Sequence, residues 1–322
     1  MVKSNLSEIV IKVFNKKPLD IPTIAVTGGK GGTGKTSVAV NLSACLSKNG
    51  RRVLLVDADA DSPTAAIVLG AQPKPVQEVK TFAPKIVKAR CDKCGKCAEA
   101  CRTHALACIA DKYPMLFKEL CSGCEACLLA CPRGAIEDEG KVVGYVHYAR
   151  IDNISFVGGE LKPSEARSAQ VVIATKDFAF KEASKGEYDV MIVDTPPGTH
   201  CNVVQSLRGA DLALAVTEPT PLGVHDLNLI LELAYKLGIP TKVIINKANM
   251  PGQDKGEVLK VVNRYRTEVI SEIPIDENLF QSYAAGTPIA TSRPNSPAAV
   301  AIMKIAETIF DYIKIERGSP LG

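Results

Sequence analysis

"GGKGGTGKTS", residues 28–37, satisfies the spacing G-x-x-x-x-G-K-[ST] through Gly29, Gly34, Lys35 and Thr36. Glycines at this density let successive backbone N–H groups turn inward around phosphate oxygens, and a helix starting at Lys35 aims its positive end at the same anion. Gly31, Gly32, Thr33 and Ser37 complete the loop. Lys35 is expected to reach the β- and γ-phosphates of a nucleoside triphosphate, with the Thr36 hydroxyl on Mg2+. The flanks suit that role. TIAVTGG (23–29) reads as a buried strand entering the loop, and KTSVAVNLSACLSKNG (35–50) as a helix closed by Gly50.

Outward from the loop, RRVLLVDADAD (51–61) is a second strand with acids at its carboxyl end. The alternation resumes at YDVMIVDTPPG (188–198), ADLALAVTEPT (210–220), TKVIINKAN (241–249) and EVISEIP (268–274), and an amphipathic helix is expected over 297–315. Strands alternating with helices imply an α/β fold with a doubly wound, mostly parallel sheet. Residues 21–71 and 161–322 are assigned to this phosphate-binding domain, 72–160 to an insertion, and 1–20 to an N-terminal extension. NKAN (246–249) looks like the guanine-reading N-K-x-D pattern, but Asn249 stands where a carboxylate would accept from guanine's donor edge. ATP is therefore the expected nucleotide, with Asn246 and Pro274 placed in its site.

Eight of the 11 cysteines form two spaced sets inside the insertion. Cys91, Cys94, Cys97 and Cys101 recur as Cys121, Cys124, Cys127 and Cys131, at a constant offset of 30 residues. The spacing C-x2-C-x2-C-x3-C, followed by Pro132 in the second copy, is that of bacterial two-cluster ferredoxins, where the fourth cysteine serves the other cluster. Cys91, Cys94, Cys97 and Cys131 should then hold one 4Fe–4S cluster, and Cys121, Cys124, Cys127 and Cys101 the other. Zinc, which takes two separated CxxC pairs, fits this spacing poorly. The insertion reads as an α+β ferredoxin-like domain. Arg102 replaces the proline of the first copy, which could alter the local turn without removing a ligand. Cys45 and Cys108 read as small buried hydrophobes.

Lys30 carries a more specific resemblance. The stretch resembles the deviant Walker A motif, KGGxGK[ST], of MinD/ParA/Mrp ATPases, a family that includes the nitrogenase iron protein. The resemblance, over about residues 22–70 and 188–315, implies a homodimer that sandwiches nucleotide, with Lys30 crossing to the partner's phosphates. It implies that Asp59 orients the attacking water, Asp194 holds the Mg2+ shell and Pro196, Pro197 and Gly198 lie in a second switch. Slow, dimer-dependent ATP hydrolysis would follow, with Lys30, Lys35, Asp59 and Asp194 as its catalytic set. Asp57 is read as structural. ELKPSEARSAQVV (160–172) resembles a segment of the subgroup with an inserted ferredoxin domain, although Ser164 and Ala169 replace two of its usual glycines. Cys201 lies where the iron protein has a ligand of its bridging cluster, but no second cysteine occurs in 150–187, so a thiol moving with the second switch is the preferred reading. His200 reads as a surface histidine.

Composition narrows the function classes. With 46% hydrophobic and 23% charged residues and a net charge of +4, neither nucleic acid nor a membrane is indicated as a partner. No apolar run approaches the roughly 20 residues of a membrane span, and no cleavable leader is evident. Clustered rather than dispersed cysteines point to a reducing, cytoplasmic setting. Three functions are weighed: an ATPase gating electron transfer to a redox partner, a maturation scaffold delivering clusters to an apo-metalloprotein client, and a positioning ATPase with structural clusters.

Overall fold

The computed structural model describes residues 21–251 and 255–318, so the expected extension at 1–20 lies outside the described residues. The chain divides into two compact units: Glu78–Gly144, and the remainder. In chain order the larger unit begins with β1 (Thr23–Thr27), α1 (Lys35–Lys48), β2 (Val53–Asp57), α2 (Ala65–Leu69) and β3 (Lys74–Thr81). The chain enters the smaller unit within β3. There it forms β4 (Pro84–Ile86), α3 (Lys96–Glu99), β5 (Leu106–Ala107), β6 (Met115–Leu116), α4 (Ala126–Ala130) and β7 (Ile136–Asp138). It returns along β8 (Lys141–Ile151) and β9 (Ile154–Leu161). The larger unit continues with α5 (Ser168–Ala183), β10 (Val190–Asp194), α6 (Cys201–Leu207), β11 (Leu212–Thr217), α7 (Pro221–Lys236), β12 (Thr241–Asn246) and α8 (Gly256–Arg264). It closes with β13 (Val269–Ile273), α9 (Glu277–Ala284), α10 (Ile289–Ser292) and α11 (Pro297–Gly318).

Nine strands form one sheet in the order β13-β12-β11-β1-β10-β2-β9-β8-β3. From β13 to β9 every pairing is parallel. The reason is visible in VLLVD, VMIVD and LALAVT, whose residues are buried throughout because helices cover both faces. Ile24, Val26, Leu55, Ile192 and Leu214 pack with Leu42 and Leu46 of α1 and with Ile302, Ile305 and Ile309 of α11. The last three lie three and four residues apart, so one helical face meets the core. No helix among the described residues is long and apolar enough to cross a membrane.

The sheet takes in more of the chain than expected. The sequence assigns residues 145–160 to the insertion, yet β9 pairs in parallel with β2, Phe156 opposite Leu55 and Gly158 opposite Asp57. The smaller unit is accordingly 78–144, narrower than 72–160.

In the smaller unit the repeat is structural as well as sequential. β4 of the first copy pairs antiparallel with β7 of the second, and β5 pairs with β6. Each copy thus closes its hairpin with the other's strand. Left-handed backbone positions recur at the same 30-residue offset: Lys93 with Gly123, Gly95 with Glu125 and His104 with Gly134. Arg102 therefore leaves the turn that Pro132 occupies in the second copy unaltered. Phe82, Cys97, Leu106, Cys127 and Ile136 form the small core.

Candidate functional site

The carboxyl ends of the parallel strands converge on the loop 28–34, where open α/β sheets bind ligands. β1 ends in the loop; β10 and β2 end in Asp194 and Asp57, which are register partners. β11 leads to Glu218, and β12 ends in Asn246. Gly34, at φ 97°, precedes α1 as its N-terminal flank. A Cβ there would sit 2.3 Å from the Asn246 amide nitrogen, and one on Gly29 would sit 2.3 Å from the Asp226 Cβ of α7. Both contacts hold the loop against its neighbours and require the absence of a side chain.

Lys35 is buried, and its Nζ donates to the Lys30 carbonyl at 2.9 Å. Burial lowers its affinity for a proton, opposed by the nearby Asp194 and Asp59. Burial also raises all three acids beside it: Asp57 to about 7, Asp59 to about 6, and Asp194 well above the ordinary range, with Asp57 adding repulsion. Their roles separate by hydrogen bonding. Asp57 accepts from the backbone N–H groups of Asp59 (3.1 Å) and Ala65 (3.0 Å), pinning the loop that carries Asp59. Both Asp194 oxygens and Asp59 Oδ1 are buried without a well-formed hydrogen bond, although the Thr36 hydroxyl lies beside Asp194. Orphaned carboxylate oxygens facing a hydroxyl suit a hard divalent cation. Among the described residues no three His, Cys, Asp or Glu side chains converge as they would on a single fully protein-coordinated ion. Mg2+ usually keeps several waters and few protein ligands, so the donor set of Thr36 and Asp194 fits it.

An open cavity of about 350 Å3 joins Gly32, Gly34 and Ser37 of the loop to Asn246 and Pro274. The expected base-side residues are thereby brought to the phosphate loop. The Asn246 amide also faces the protein: it donates to Thr33 O at 2.7 Å and accepts from Lys247 N at 2.9 Å. One N–H and one lone pair remain for a base. Ile275, Leu279, Phe280 and Tyr283 form the rest of the wall, and Phe280 is 74% exposed. Sequence reasoning missed them; apolar residues at 279, 280 and 283 after the capping Asp276 were the available signal. Glu218 was missed as well. It binds Lys30 Nζ at 2.9 Å and Lys247 Nζ at 2.5 Å.

In the loop after β10, Gly198 N donates to Gly28 O at 3.4 Å, tying that loop to the phosphate loop. Pro196 and Pro197 precede that contact, and His200 flanks α6. Cys201 opens α6 as an exposed thiol. Cys45 is buried, which pushes its thiol up to about 11 and leaves it inert.

The smaller unit contains two cavities. One is lined by Cys91, Cys94, Cys97 and Cys131 beside Ile86 and Pro114. The other is lined by Cys101, Cys121, Cys124 and Cys127 beside Phe82 and Leu106. Each holds three cysteines of one copy and the fourth of the other. Eight sulfurs thus lie around two hollows, four to each. Backbone N–H groups already face the crossing sulfurs. Ala135 N donates to Cys131 Sγ at 3.2 Å, and Leu106, Thr103 and Ala105 together outweigh burial and hold the Cys101 thiol below its ordinary range. Cys97 is pushed up to about 12 by burial and by Cys108, which lies against it and is only partly buried rather than buried as expected.

Comparison with known proteins supplies the lineage. Residues 24–289 match the family model described as the CobQ/CobB/MinD/ParA nucleotide binding domain. An uncharacterized protein of Methanocaldococcus jannaschii is 32% identical over 82% of this chain and 89% of its own length. An iron-sulfur cluster carrier protein of Pyrococcus abyssi is 26% identical over 92% of this chain and 88% of its own. Among solved structures, the septum site-determining protein MinD complexed with Mg-ADP, from Pyrococcus horikoshii, superposes with a TM-score of 0.59. It is 20% identical and covers 92% of this chain and 98% of that one. That likeness concerns the fold.

Proposed function

We propose that this chain, which belongs to the CobQ/CobB/MinD/ParA nucleotide-binding family, is an Mg2+-dependent ATPase that couples nucleotide-driven dimer and switch changes to two 4Fe–4S clusters. The observation that carries the iron–sulfur half is the crossed membership of the two cavities. Eight cysteines could line two hollows in many ways, and a lone structural ion would not require Cys131 and Cys101 to change places. Bound there, the clusters would supply one-electron transfer.

On the nucleotide side, Lys35 would leave the Lys30 carbonyl for the β- and γ-phosphates, and Thr36 with Asp194 would hold Mg2+. Asp59, with an orphaned oxygen at the switch, would orient the attacking water. Lys30 would stabilise transition-state charge at a partner's nucleotide, as an arginine finger does. Coupling has a covalent route. Leu161 N, at the end of β9, donates to Ala60 O beside Asp59 at 2.9 Å, and β9 follows directly from β8, the strand returning from the cysteine-bearing unit. Movement of the Asp59 loop on γ-phosphate loss would load that strand.

The test is anaerobic reconstitution with iron and sulfide, read by iron content and by electron paramagnetic resonance of the reduced protein. The wild type should bind about eight irons per chain. Cys97→Ser and Cys131→Ser should remove one and the same cluster signal, and Cys101→Ser and Cys124→Ser the other. Loss that follows sequence copy, Cys131 grouping with Cys124, would overturn the assignment. Reduction potentials that are identical with ADP, with ATP and without nucleotide would remove the coupling.

A second reading, delivery of a cluster to an apo-metalloprotein client, is favoured by the relatives named iron-sulfur cluster carrier proteins. Transfer from the reconstituted chain to an apo-ferredoxin acceptor, dependent on nucleotide, would select it over gated electron transfer.

A further inference from the structure

The carboxylate of Glu218 grips two lysines at once. Lys30 comes from the phosphate loop and Lys247 from the turn after Asn246, so the clasp links the phosphate side of the nucleotide site to its base side. Lys247 Nζ also lies 3.4 Å from Gly32 O. Glu218 is buried at the end of β11 and is rigidly mounted: Thr220 Oγ1 accepts from Gly223 N at 3.0 Å, and Thr217 Oγ1 donates to Gly223 O at 2.8 Å. Burial works against its charge, but Lys247 and Lys30 outweigh this and hold the carboxyl below its ordinary range. Of the two lysines Lys30 makes the longer contact, 2.9 Å against 2.5 Å for Lys247, and 28% of its side chain is exposed against 39%.

We propose that Glu218 is a positioning residue that holds Lys30 back within its own subunit and releases it to the nucleotide of a second copy of this chain. The inference rests on the reading that Lys30 acts across a nucleotide sandwich. Two cations on one carboxylate are what make release possible. Stripping the only partner from a buried charge costs several kcal/mol, whereas a carboxylate that keeps Lys247 is never left bare. Lys30 departs at low cost, and it departs only when another anion competes for it. The phosphates of a partner-bound nucleotide are such an anion, so assembly and release become one event. A permanent ion pair between elements of fixed position would not need the second lysine.

The test reads Lys30 directly in the nucleotide-free, full-length protein, by the rate of acetylation with an amine-reactive reagent and mass spectrometry. Glu218→Gln should raise the Lys30 rate roughly three- to tenfold while Lys35 keeps its own rate. Dimerisation in a non-hydrolysable ATP analogue, followed by sedimentation, should tighten about threefold or more in the same variant. Lys247→Met should act in the opposite sense on both readouts, because leaving would now strand Glu218; this variant retains the buried carboxylate and guards against a folding defect in the first. Lys30 and Lys35 rates rising together would show mere loosening of the loop and overturn the proposal, as would a Lys30 rate that neither variant moves. If wild type and variants all remain monomeric while the labelling pattern holds, the sandwich reading fails and the clasp stands. Normal dimers with unmoved Lys30 labelling would spare the sandwich and sink the clasp.

Discussion

At the scale of single residues, the site is a crowd of acids around one buried lysine. Asp57, Asp59 and Asp194 resist ionisation because burial and mutual repulsion exceed what Lys35 and the backbone donors return. A carboxyl whose native value lies above its unfolded one keeps its proton longer in the folded chain. Stability is therefore full below about 3.9 and falls as pH rises toward the native values of about 6 and about 7. Glu218 and Asp276 are shifted the other way and act below the ordinary carboxylate range, outside this window. The nucleotide-free protein should lose several degrees of melting temperature, roughly, between pH 5 and pH 7.5, and MgADP should flatten the profile by neutralising the cluster. A calorimetric series with and without MgADP measures it. Lys35→Ala should weaken nucleotide binding by at least about tenfold in isothermal titration, since a charge-assisted contact to phosphate is lost. Lys35 and Thr36 came from the loop's spacing and Asp59 and Asp194 from the family resemblance, and folding brings the four side by side. Glu218 was not legible in the sequence: in ADLALAVTEPT it is one acid after a strand, and only folding brings Lys30 and Lys247 to it.

At the scale of elements, the two cysteine copies share a backbone more than they share residues. His104, at φ 53°, occupies the left-handed position that Gly134 fills in the other copy at φ 56°. An L side chain in that region costs about 1 kcal/mol, and both positions are exposed. His104→Gly should therefore stabilise the smaller unit by up to about 1 kcal/mol, and Gly134→Ala should destabilise it by a similar amount. Hydrogen-exchange protection of residues 78–144 distinguishes the two outcomes. Strand periodicity revealed the buried runs flanking the phosphate loop, yet β8 and β9 went unread. ISFVGG is an apolar run like the others, but it follows the cysteine repeat without a composition break, and pairing with β2 is a long-range event that no local pattern announces.

At the scale of the whole molecule, assembly is the property most at stake. If Lys30 serves a partner's nucleotide, as proposed, Lys30→Ala should bind ATP within about threefold of wild type yet fail to form an ATP-dependent dimer and hydrolyse slowly as a monomer. Light scattering in ADP and in ATP, paired with a phosphate-release assay, checks both halves; normal turnover by a monomeric variant would refute the role. The sequence by itself determined the phosphate loop, the doubly wound class and the duplication of the cysteine sets, because each is written in local spacing or strand–helix alternation. Tertiary structure decided where the insertion ends, which strands of the two cysteine copies pair, and that Glu218 sits against the loop lysine. Those depend on which distant segments pair and on which charges burial forces together, and neither is encoded at the separation of a few residues.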